Sequence, residues 1–122
     1  MTDWMTIAPN AAAASLLLLG LLALFFPVSV AAFVGIRPRE PEGLSEIRAI
    51  FGCFFLGLGV ACLWLQSVSV FTALGIGCLA AAVGRALSLV VDRSVSIKNI
   101  GGLVSEVAIA ALFLSARLGG GF

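Results

Sequence analysis

Four apolar runs, at about residues 11–33, 46–65, 70–91 and 101–116, divide the chain, and short stretches of Pro, Gly, Ser and charge separate them. Each run is continuously apolar rather than alternating, which argues for helices and against the strands of a membrane barrel. At 1.5 Å per residue the runs reach roughly 25 to 34 Å, a match to a hydrocarbon layer of about 30 Å. The pattern predicts an all-α, integral membrane four-helix bundle, with one domain over residues 1–122. Pro27 lies inside the first run, has no backbone donor, and is expected to bend that helix in its later half.

The polar connections give an orientation. Arg37, Arg39 and Arg48 mark the first and Arg93 and Lys98 the third, whereas the opposite side offers only Arg117. The positive-inside rule then places both connections in the cytoplasm and both termini outside, so the expected site is a bacterial inner membrane. Trp4 and Trp64 fall together at the outer interface as belt residues. Ser45 is the expected cap of the second helix, with Glu46 meeting its positive end. The connection at 66–69 is short and uncharged, so the second and third spans should form an antiparallel hairpin. No Lys or Arg precedes position 37, unlike the basic start of a secretory signal, and the first run is read as a retained span.

Composition removes several function classes. With 61% hydrophobic residues, 11% charged residues and a mean hydropathy of +1.20, too little polar surface exists for a soluble domain. The net charge of +1 provides no basic patch for nucleic acid. Histidine and tyrosine are absent, so the commonest general base and metal nitrogen ligand are missing, and no metal or other cofactor is expected. Cys53, Cys62 and Cys78 lack C-x-x-C spacing and are read as small apolar packing residues. No nucleophile–base pair and no phosphate-binding glycine loop stand in the chain, so catalysis is not expected.

What chemistry remains is charge inside the apolar runs. An ionised side chain in hydrocarbon costs several kcal/mol unless it is paired, hydrated or carried to the interface. Gly77, Ala81, Arg85, Ser88 and Asp92 recur at helical spacing and share a face of the third helix. Arg85 and Glu106 lie at similar depths on neighbouring antiparallel helices, which makes an ion pair geometrically easy. Glu46, Arg48, Arg85, Ser88, Asp92 and Glu106 thus form a candidate intramembrane polar cluster, read either as a self-satisfied network that fixes helix packing or as a proton or cation site. Small residues at Gly52, Gly57, Gly59, Gly77, Ala81 and Gly84 are the expected points of close helix approach.

The segments Glu46-Ile47-Arg48-Ala49-Ile50-Phe51-Gly52, Leu56-Gly57-Leu58-Gly59 and Gly84-Arg85-Ala86-Leu87-Ser88, with Asp92 and Glu106, carry a family resemblance. The chain resembles the small bacterial membrane proteins grouped as domain of unknown function 4345, from the first span to Glu106. That resemblance implies a four-helix membrane fold and no established activity. Where the family often follows the Asp with Gly, this chain has Arg93, so the turn after the third helix is expected to differ.

Two other four-span classes do not fit. Small multidrug exporters depend on a Glu in their first helix, and this first run has no acidic residue; the Asn and the Thr/Phe/Ser-rich break of dual-topology fluoride channels are also missing. The surviving expectations are an accessory or assembly subunit of a larger membrane complex, and a minimal oligomeric transporter built on Arg85 and Glu106. Its partners are the lipid bilayer and a larger complex or further copies of itself.

Overall fold

The computed structural model describes residues 3–119, with side chains described for residues 7–118. Trp4, one of the two expected belt residues, therefore has a side chain outside the described residues. The chain is all-α, and no strand occurs among the described residues. Its elements are α1 (Asp3–Phe25), α2 (Pro27–Phe33), α3 (Pro41–Glu46), a π-helical segment (Ile47–Phe54), α4 (Phe55–Leu65), α5 (Val68–Val91), α6 (Ile97–Leu114) and a closing 3₁₀ turn (Ser115–Gly119). Four helical stretches are long and apolar enough to cross a membrane: Ile7–Phe25, Pro41–Leu65, Val68–Val91 and Ile97–Leu118.

Element ends differ from the sequence expectation where a proline or a serine decides them. Pro27 does more than bend the first helix. It interrupts it, because Phe26 leaves helical geometry (φ −130°, ψ 60°) and Pro27 opens α2 as its first residue. The second helix starts at Pro41 rather than at a Ser45 cap, since Pro41 suits a first helical turn, and Glu42 rather than Glu46 takes the acidic place near its start. Ser67 caps α5 by accepting from the Val70 amide, and Ser96 caps α6 by accepting from Asn99, which begins α6 four residues before Gly101.

The chain forms two compact units, one of Ala13–Leu65 and the other of the residues up to Ala12 with those from Gln66 onward. In the Ala13–Leu65 unit, Ala13, Leu16, Gly20, Ala23, Pro27 and Val30 are buried at alternating steps of three and four, a single stripe that continues across the break. It meets Ile47, Gly52 and Gly59. Contact is backbone to backbone: a Cβ at Gly20 would come within 2.6 Å of the Leu56 nitrogen, and one at Gly59 within 2.9 Å of the Leu17 nitrogen. The π segment supplies the register. In an α-helix Ile47 and Gly52, five residues apart, would diverge by about 140°, whereas i→i+5 bonding brings them into line and lets both be buried.

In the second unit α5 and α6 pair antiparallel. Phe71 stacks on Phe113 with ring centroids 6.2 Å apart, and Gly75 admits Leu114, whose Cγ would lie 2.7 Å from an added Cβ. Phe71, Gly75, Cys78, Ala82 and Arg85, all buried or half-buried, mark the packed stripe of α5, again at steps of four and three. At the opposite end of this unit from Arg85, Asn10 and Gln66 exchange amide hydrogen bonds: Asn10 Nδ2 donates to Gln66 Oε1 (3.1 Å) and Gln66 Nε2 to Asn10 Oδ1 (2.6 Å). Gln66 turns the chain with φ 48°, in the left-handed region.

Candidate functional site

The polar chemistry gathers where α5 ends and α6 begins. Arg85 lies on the packed stripe of α5, and Glu106 faces it from α6, so the helix contact that the apolar residues build also brings the charges together. Arg85 Nε donates to Glu106 Oε1 at 2.8 Å and Nη2 donates to Oε2 at 3.0 Å, a two-pronged pair in which both carboxylate oxygens are used. The third nitrogen, Nη1, donates to Asn99 Oδ1 at 3.1 Å. All three guanidinium nitrogens are thereby engaged, and the two charged side chains keep 32% and 24% of their surface exposed.

Asn99 ties the pair to the turn. Its Nδ2 donates to the Ser94 carbonyl at 2.6 Å, and its own amide is held by the Ser96 cap. Ser94 Oγ donates to the Ser88 carbonyl at 3.0 Å, while Ser88 Oγ donates to Asp92 Oδ2 at 2.7 Å. Arg93 completes this turn at φ 50°, the left-handed region that glycine enters most easily. The chain thus keeps there, with Arg, a backbone conformation that suits Gly. Continuous polar contact runs from Asp92 through Ser88, Ser94 and Asn99 to Arg85 and Glu106.

Room for the guanidinium comes from Gly102, where an added Cβ would lie 2.9 Å from Arg85 Cζ. Asn99, Ser94 and Gly102 are not among the residues that the sequence pattern singles out, because the apolar run begins only at Gly101 and residues 92–99 have the composition of a polar connection. The signal that could have found Asn99 is its position three residues after Ser96, the spacing at which a capping serine reaches an amide.

Of the expected cluster, Arg85, Ser88, Asp92 and Glu106 are joined in this one network. Glu46 and Arg48 lie in the Ala13–Leu65 unit. There Arg48 Nη1 donates to the Leu24 carbonyl at 2.7 Å, one turn before the Pro27 break, where the helical ladder is interrupted. Glu46 is exposed at the start of the π segment.

The small residues divide as well. Gly52 and Gly59 stand in close helix contact, with Gly52 against Leu24 (3.1 Å from its nitrogen to an added Cβ). Gly57, Gly77 and Gly84 do not: an added Cβ would find no atom within 4 Å at any of them, and Ala81 is exposed. Within the chain, the α5 contacts expected of Gly77, Ala81 and Gly84 are made by Gly75 and Ala82 instead. Cys62 is buried as a packing residue should be, Cys78 is half-buried, and Cys53 is exposed. Trp64 is 82% exposed near the end of α4.

Comparison with known proteins adds one match: the model of the family described as Domain of unknown function (DUF4345) covers residues 5–116. No curated protein and no solved structure matches the chain.

Proposed function

The chain belongs to the Domain of unknown function (DUF4345) family, and we propose that this member is an accessory, assembly or stabilising subunit of a larger membrane complex, held there by intramembrane helix contacts. The observation that carries the reading is the contrast between its two kinds of polar or small residue. The guanidinium of Arg85 is occupied on all three nitrogens by Glu106 and Asn99, which suits a structural lock. Gly57, Gly77 and Gly84 are left open, where the backbone of another helix can approach closely. In this reading the protein lies in a bacterial inner membrane with both termini outside the cytoplasm, and it turns over no substrate.

The test is copurification from native membranes in mild detergent. Gly57→Leu and Gly77→Leu should release the protein from a larger assembly while leaving insertion intact. Isolation of the unaltered protein only as a monomer or homo-oligomer would overturn the reading.

A second reading is a minimal transporter of a proton, cation or small solute at Arg85 and Glu106. It draws support from the fraction of both side chains that stays exposed. Proton-coupled flux in reconstituted vesicles, lost in Glu106→Gln, would favour it over the first.

A further inference from the structure

A shallow apolar groove opens in the Ala13–Leu65 unit, beside the start of the second membrane-spanning stretch. Ile36 and Pro38 of the connection form one wall, and Ile47, Ile50 and Phe51 of the π segment form the other, with Glu46 at the rim. Its volume is about 420 Å³, within the range of about 300–1,000 Å³ common to small-molecule sites. Gly43 lets the connection fold back, since a Cβ there would lie 2.9 Å from Pro38 Cβ.

Three observations bear on what it holds. First, the groove runs from the connection before Pro41 to Phe51, ten residues into a stretch long and apolar enough to cross a membrane, so a bilayer crossed by that stretch would place its two ends at headgroup level and in hydrocarbon. Second, three of its residues, Ile47, Ile50 and Phe51, belong to the π segment, a helix form that is rare and often sits at functional sites. Third, the charges at the polar end balance. Arg37, Arg39 and Arg48 stand against Glu40, Glu42 and Glu46, and neither Arg37 nor Arg39 has a hydrogen bond or ion pair among the described residues.

An anionic lipid would meet three carboxylates here, whereas a zwitterion finds a partner for each of its charges. From this match of shape, depth and charge we propose that the groove binds one phospholipid with a primary-amine headgroup. An acyl chain lies along Ile47, Ile50 and Phe51, the phosphate meets Arg37 and Arg39, and the ammonium donates to Glu46. A primary amine is specified because Glu46 accepts hydrogen bonds, which a trimethylated ammonium cannot donate.

The full-length protein, reconstituted in bilayers of phosphatidylethanolamine, phosphatidylcholine and phosphatidylglycerol in equal parts and then extracted, should retain phosphatidylethanolamine. Native mass spectrometry should find it enriched roughly two- to fivefold over either other lipid, the span expected of one interfacial charge-assisted contact. Glu46 is exposed, so its substitution leaves the fold in place. Glu46→Ala should remove the enrichment and Glu46→Lys should turn it toward phosphatidylglycerol. Ile50→Trp, which fills the groove, should lower retention of all three. Retained lipid in the proportions of the bilayer, or enrichment that survives Glu46→Ala, would overturn the proposal and leave only the ordinary lipid annulus.

Discussion

Gly102 lies flat against the guanidinium of Arg85, so close that a Cβ at residue 102 would stand 2.9 Å from Cζ and 3.0 Å from Nη1. The absent side chain is what allows a planar group to lie between two helices while it reaches Glu106 on one side and Asn99 on the other. Gly102→Ala should therefore push Arg85 out of line and destabilise the protein by about 1–2 kcal/mol. Its neighbour supplies the control. Gly101 has nothing within 4 Å of an added Cβ, and Gly101→Ala should be neutral or should stabilise by up to about 1 kcal/mol through helix propensity. Thermal unfolding of both variants in one detergent measures the difference.

Removing one member of the Arg85–Glu106 pair leaves the other charged and unpaired between apolar helices. Arg85→Gln and Glu106→Gln should each cost roughly 3 kcal/mol. Asn99→Ala, which removes a single hydrogen bond to the same guanidinium, should cost about 1 kcal/mol. The exchange Arg85→Glu with Glu106→Arg should recover part of the loss, and equal damage from single and exchanged variants would refute a direct contribution of the pair.

Arg48 and Pro27 are expected to be energetically coupled. The break at Pro27 interrupts the hydrogen-bond ladder near Leu24, and Arg48 donates to that residue's carbonyl. Arg48→Met should cost about 1–2 kcal/mol in the natural chain. In a Pro27→Ala background, where the helix can continue and its own amides can serve, the same change should cost measurably less. A double-mutant cycle on unfolding reads the coupling directly.

The turn at Arg93 holds a left-handed backbone without glycine. Arg93→Gly should raise stability by about 0.5–1 kcal/mol, since the relief of strain exceeds the flexibility gained by the unfolded chain. A fall in unfolding temperature would mean that the Arg93 side chain contributes more than its backbone costs.

Much of the fold was legible because hydrophobic length alone identifies membrane-spanning helices. The Arg85–Glu106 pair was legible too, since two charges in otherwise apolar runs have few ways to be satisfied. The face on which Arg85 packs was harder. Stepping back four residues from Arg85 gives Ala81 and stepping back three gives Ala82, both alanines, and the distant packing of Phe71 on Phe113 and of Gly75 on Leu114 selects the second. The π segment was invisible for a related reason: Ile47–Phe54 contains no proline and no unusual composition, and its register answers to the close backbone contact around Gly20 and Gly52. Asn99 was missed through a helix boundary, where a serine cap shifts the start by four residues.

The amide exchange between Asn10 and Gln66 has a consequence in time rather than in space. A ribosome delivers the chain from the amino end, so Ala13–Leu65 has all of its partners once Leu65 has emerged. Asn10 must wait, because its partner Gln66 comes next and the helices that complete that unit come later still. Asn10 therefore gains this amide partner only after the whole of Ala13–Leu65 has been made.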